Sequence, residues 1–408
     1  MTHAGEQIAD QLKREVPHTT RHFDRPPTAD EAVVLLSQLN GGICRYAPRQ
    51  ARKPLAIYGA GTFGQLAISV LRAAEISLDL VVDRAADQLR HDSRWAGVTV
   101  MTPDQVPDVV KESALLGVTV ATSPFTPIES SLRLDGWTDV VPFYDIAETL
   151  RYKHPLSNGW FAEKMGADAI RKTEAVLRAW HDDTSRAHHL QFLAWRLLRE
   201  EWFFASAPVT LGNRYLIPEV LSCLSECEVF LDGGAHRGEA ISSFIDAVGG
   251  TYKAIYAVEP DADSREVFQG RFRAEVEGSH SKIKLAPYAL DAVERSRKFH
   301  SGLGYASQLS DTGQEDMQTR TIDSMGVSPT FLKLHLEGHE LAALQGGLQT
   351  ILSKRPIVTV TTYHNEDGIW QIPDYMMKNL PNYRFLMRLH SWCGTGAVVY
   401  GVPLERAS

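Results

Sequence analysis

The sequence predicts an α/β protein. Its C-terminal part reads as a seven-stranded Rossmann-like fold closed by an antiparallel hairpin. A smaller Rossmann-like domain and a helical connector precede it. Three observations predict this. Val229-Phe-Leu-Asp232-Gly233-Gly234-Ala-His236-Arg-Gly238 is an apolar run ending in an acid and a glycine-rich turn. Leu55-Ala-Ile-Tyr58 runs into Gly59-Ala-Gly61-Thr-Phe-Gly64, a second such turn. Seven apolar runs follow residue 227, and the last two are separated by a short link containing Gly394 and Gly396, a hairpin signal.

Residues 1–50 read as a helical lead-in with one amphipathic helix near Thr28–Leu39, capped by Thr28 or Asp30. Residues 51–150 form the smaller unit. After its glycines comes Leu78-Asp-Leu-Val-Val-Asp83, a strand ending in an acid about 20 residues on, which completes a dinucleotide fingerprint at Gly59, Gly61, Gly64 and Asp83. The unit either binds a nucleotide or nucleotide-sugar, or keeps its glycines for packing alone. Residues 151–226 read as helical over Ala162–Trp180 and Ser185–Phe204, where apolar side chains recur every three to four positions.

The predicted strands of the last part lie near 228–232, 254–259, 282–286, 330–336, 356–363, 383–389 and 396–402. Residues 297–322 read as short strands inserted as a substrate-facing flap. Ligands of open parallel sheets sit beyond the carboxyl ends of the strands. There Asp232, Gly233, Gly234, His236 and Gly238 form one turn, and Glu259 stands where a carboxylate holds two ribose hydroxyls. Tyr288 and Ala289 flank the same place. The turn has no Lys-Ser/Thr pair, so it is not a phosphate-cradling loop. Such a site suits S-adenosylmethionine as well as NAD.

The segments VFLDGGAHRGE, YAVEPD, APYALDA, RTIDSM, FLKLHLEGHELAALQGG and RPIVTVTTYHNEDGIWQIPDYM, in this order and spacing, resemble the FkbM-type S-adenosylmethionine-dependent methyltransferases over about residues 150–405. The resemblance implies that residues 227–408 are a methyltransferase domain, a fold that carries such a terminal antiparallel strand. It implies S-adenosylmethionine as cofactor and O-methyl transfer to a small molecule, a sugar or a glycan precursor. Where the family usually has Asp, this chain has His335. Methyl transfer to an alcohol needs the hydroxyl proton removed. The candidates are His335, Glu337 and His364, with His339 on the same face if the strand runs on. A divalent ion on this cluster, or plain polar packing, is the alternative to a general base. Glu337 is also read as holding the following helix N-terminus.

Composition sets bounds. The chain has 408 residues, 44% hydrophobic and 23% charged, with net charge -8. No basic block with interleaved aromatics points to nucleic acid. No run reaches a membrane span, and the N-terminus lacks an apolar signal core. Cys44, Cys223, Cys227 and Cys393 fit neither a zinc nor a disulfide pattern. A cytoplasmic location is expected. Two rival functions remain: a nucleotide-sugar or NAD(P)-binding enzyme acting through the N-terminal unit, and a non-catalytic binding module.

Overall fold

The computed structural model describes residues 16–150, 159–277 and 281–406. The calls on residues 1–15 and 151–158 lie outside them. Strand β1 (Thr19–Phe23) precedes the helix Ala29–Gly41. Thr28 caps that helix: its hydroxyl accepts from the Glu31 N–H, and the Glu31 carboxylate returns to the Thr28 N–H. Strands β2 (Leu55–Tyr58), β3 (Leu80–Val82), β4 (Thr99–Met101), β5 (Leu115–Val118) and β6 (Asp139–Pro142) then form a five-stranded parallel sheet, ordered β4-β3-β2-β5-β6. Leu55, Ala56 and Ile57 are fully buried, as a strand covered on both faces requires.

The helices Ala167–Ala179 and Asp183–Leu198 follow, then strand β7 (Glu200–Phe204). Here two expectations are corrected. The helix does not reach Phe204, and the lead-in is not helical alone, because β7 pairs in parallel with β1. The chain leaves the helix at Arg199, whose φ is +59°. Its buried guanidinium pairs with Asp145 at 3.1 Å and donates to the Trp160 carbonyl at 2.6 Å. This pair ties the N-terminal sheet unit to the helices.

His188 and His189 lie buried in the middle of that second helix. The Trp180 indole N–H donates to His189 Nδ1 at 3.1 Å. Burial pulls the His189 pKa down to about 3. The unfolded chain therefore takes up a proton near pH 6.5 that the folded chain refuses. Stability is complete above that pH and falls as pH drops, by about 1.4 kcal/mol per unit. His189→Gln should remove about 2 kcal/mol of the loss between pH 6.5 and 5. Urea titrations at the two pH values measure it, and an unchanged slope refutes the assignment.

The C-terminal part begins with β8 (Val229–Gly233), β9 (Ala254–Val258) and β10 (Ile283–Ala286). Strands β11 (Ala289–Leu290), β12 (Ser296–His300), β13 (Gln308–Leu309) and β14 (Glu315–Arg320) make a separate four-stranded sheet at the position of the expected flap. Then come β15 (Phe331–Leu334), β16 (Ile357–Thr361), β17 (Tyr383–Leu389) and β18 (Ala397–Pro403). The main sheet has seven strands in the order β10-β9-β8-β15-β16-β18-β17. Only β18 runs against its neighbours, inserted between β16 and β17. No helix among the described residues is long and apolar enough to cross a membrane.

Candidate functional site

The order of the main sheet puts β8 and β15 side by side at its centre, with Asp232 opposite Lys333 and Gly233 opposite Leu334. Both strands end there, and the chain turns away on each side. Gly234 has φ +75°, and a Cβ on it would stand 1.9 Å from the His335 carbonyl oxygen. Gly238 has φ +83°, and its Cβ would stand 2.3 Å from the Phe272 ring. Only glycine satisfies either position. Gly238 opens the helix Glu239–Ala247.

Glu259 follows β9 directly. Its carboxylate accepts from the N–H of His236 at 2.6 Å and of Asp261 at 2.8 Å. Burial pushes its pKa up, and these two N–H groups oppose that. Gly234, His236, Glu259, Tyr288 and Ala289 line a cavity of about 760 Å³. Gly302–Gly304 of the flap also lines it. Asp261 fastens this flap by accepting from the Gly302 N–H at 2.9 Å and the Ser307 hydroxyl at 3.1 Å.

His335 and Glu337 lie on the wall of the same cavity. His335 Nε2 is 2.9 Å from Glu337 Oε1, and His335 Nδ1 is 2.5 Å from the Tyr215 hydroxyl. His364 sits behind, with Nε2 3.2 Å from the same Glu337 oxygen and Nδ1 2.6 Å from Glu340. Burial pulls the His335 pKa down to about 4, with Glu337 opposing. Burial also works against charge on His364, but Glu337 and Glu340 outweigh it and hold the ring well above the ordinary histidine value. Burial opposes charge on Glu337 as well, and the two histidines prevail and lower it.

Residues 232–387 match the family model described as the methyltransferase FkbM domain. They form an FkbM methyltransferase domain. A crystal structure of methyltransferase FkbM from Methylobacillus flagellatus KT shares the fold at a TM-score of 0.58 and 17% identity, covering 98% of each chain. No curated protein matches the sequence.

Methyltransferases of this family generally use S-adenosylmethionine, and the residues of the FkbM domain fit it. Gly234 brings bare backbone to the cavity, and the Glu259 carboxylate stands at the same wall, the pairing of turn and acid that a ribose-bearing cofactor uses. Asp232 is a different matter. It belongs to the turn expected to meet the cofactor, yet it is fully buried and paired with Lys333 Nζ at 2.8 Å. Asp232, acting against burial, holds Lys333 in its charged form. Lys333 also donates to the Gly234 carbonyl at 2.7 Å, so the pair props the turn from beneath.

Other expectations for the FkbM domain are corrected. β15 stops at Leu334, because Glu337 (φ +49°) and Gly338 (φ +107°) turn the chain. His339 therefore leaves the cluster, and its Nε2 lies 3.1 Å from Arg297. Glu340, not Glu337, closes the turn before the helix by accepting from the N–H of Leu336 and Gly338, each at 3.0 Å. His364 Nδ1 is taken by Glu340 and the ring lies behind Glu337, away from the cavity lining, so it offers no free base to the cavity.

Sequence reasoning missed Tyr215, Lys333 and Glu340. Lys333 and Glu340 lay inside the motif already singled out. Tyr215 sits 120 residues from His335, with no local pattern to mark it. In the N-terminal unit, the Asp83 carboxylate is taken up by the N–H of Ala60 at 2.7 Å and of Ala85 at 2.8 Å. A Cβ on Gly64 would stand 2.2 Å from the Gly59 carbonyl oxygen, so these glycines seat the helix Thr62–Ala73 on β2. The outer face of that helix, with Gln65, Ser69 and Arg72, walls the same cavity as the FkbM domain.

Proposed function

We propose that the chain is an S-adenosylmethionine-dependent O-methyltransferase acting on a hydroxyl of a sugar or glycan precursor. One observation carries this reading: the glycine turn and the His335 cluster meet. Gly234 packs against the His335 carbonyl, so the cofactor turn and the ionisable wall face one cavity. When bound, the cofactor supplies a sulfonium methyl for in-line attack by oxygen. Glu259 takes the ribose hydroxyls, and Tyr288 and Ala289 flank the base. The acceptor proton must leave as the new bond forms, and His335 and Glu337 are ionisable groups at that wall, with His364 behind Glu337. Gln65, Ser69 and Arg72 add to the cavity lining a polar surface suited to a polyhydroxylated acceptor.

Calorimetry with S-adenosylmethionine and S-adenosylhomocysteine tests the reading, and absence of binding to both refutes it. Glu259→Ala removes charge-assisted hydrogen bonds to the ribose, each worth about 1.5–3 kcal/mol. Cofactor affinity should fall at least about tenfold while the fold survives. Parent-like binding would mean that the ribose lies elsewhere.

A further inference from the structure

We propose that His335, Glu337 and His364 bind one divalent first-row transition-metal ion, zinc being the reference case, and that this ion takes the acceptor hydroxyl. Ion binding stands on the geometry alone. Its role toward the acceptor rests on the methyltransferase reading.

The three residues offer ligand atoms that all lie within 4.8 Å of one another. Nε2 of each histidine lies beside a single carboxylate oxygen, Glu337 Oε1, at 2.9 Å and 3.2 Å. Ligand atoms around a tetrahedral zinc ion, with bonds of about 2.0–2.1 Å, stand roughly 3.3 Å apart. His364 Nε2 is buried and has no hydrogen-bond partner, although Glu337 is close by. The nitrogen is near the carboxylate but not aimed along a hydrogen bond to it. His364 is 3% exposed, so no bulk solvent satisfies the ring.

The far nitrogens are fixed as metal-binding histidines require. His364 Nδ1 meets Glu340, which is itself held by the N–H of Leu336 and Gly338 and by the Thr361 hydroxyl at 2.8 Å. This is the carboxylate–histidine arrangement that orients a ring toward an ion. His335 Nδ1 meets the Tyr215 hydroxyl. The Tyr363 hydroxyl, 3.4 Å from His335 Nε2, is the other polar neighbour of that nitrogen. Two imidazoles and one carboxylate select a first-row transition metal over magnesium or calcium, which prefer oxygen alone. His335 and Glu337 reach the cavity wall and His364 does not, so the open positions face the cavity. An alcohol bound there has its pKa lowered and releases its proton to solvent.

The test is a Co2+ titration of the chelator-treated full chain, followed by visible absorption, with displacement by Zn2+. One equivalent should bind, without a thiolate charge-transfer band. His335→Ala and Glu337→Gln should each weaken binding by about 100-fold or more. No Co2+ uptake by the parent chain overturns the proposal, as does unchanged uptake in both folded variants. If the variants do not fold, Zn2+ protection of His335 from diethylpyrocarbonate gives the answer in the parent. Protection supports the site, and full modification overturns it. Cofactor calorimetry on the metal-free chain separates the two readings. Cofactor binding without Co2+ uptake refutes only the ion, and Co2+ uptake without cofactor binding refutes only methyl transfer.

Discussion

Lys333→Met should cost about 3–5 kcal/mol of folding stability, the loss expected when one partner of a buried ion pair is removed. Asp232 is fully buried beneath the glycine turn, and Lys333 Nζ is its counter-charge at 2.8 Å. Without the lysine the carboxylate is left uncompensated between two central strands. The Gly234 carbonyl also loses its donor, so the cofactor turn is loosened at its base. Urea denaturation of the variant measures the loss. A double variant, Asp232→Leu with Lys333→Met, should recover most of it, because apolar side chains of similar volume often replace a buried pair at little cost. If Lys333→Met alone unfolds at the parent's midpoint, the pair does not support the turn.

The two glycine turns show how far a sequence reaches. The apolar run, the sharp turn and the acid about 20 residues on mark Gly234, Gly238 and Glu259, because backbone shape and strand length fix that spacing. The same marks at Gly59, Gly64 and Asp83 lead to the same backbone bonding, since Asp83 accepts from the N–H of Ala60 and Ala85 as Glu259 does from His236 and Asp261, but of the two carboxylates it is Glu259 that lines the cavity. The pattern specifies a tight turn and says nothing of what the carboxylate meets. The period-two argument placed His335, Glu337 and His339 on one face, but it held only while the strand continued. Gly338, with φ +107°, ends that extension and sends His339 to Arg297. The pairing of β1 with β7 and the contact of Tyr215 with His335 join distant parts of the chain. Neither leaves a trace in local periodicity.

His335→Ala should leave cofactor affinity nearly unchanged and lower turnover by about 100-fold or more, the usual share of a positioned group that handles the substrate proton. The separation follows from where the parts lie. What His335 presents to the cofactor turn is its backbone: its N–H donates to the Gly233 carbonyl at 3.0 Å, and its carbonyl packs on Gly234. Alanine keeps both. The imidazole lies on the cavity wall with Glu337 and Tyr215 and has no part in holding the ribose. Tyr215→Phe should lower turnover less, because it only removes the hydroxyl that sets the ring. Single-turnover kinetics on a sugar acceptor, with cofactor affinity measured beside them, give both quantities. If His335→Ala turns over like the parent, the cluster is not where the acceptor loses its proton. If it loses cofactor binding instead, the ring belongs to the cofactor side of the cavity.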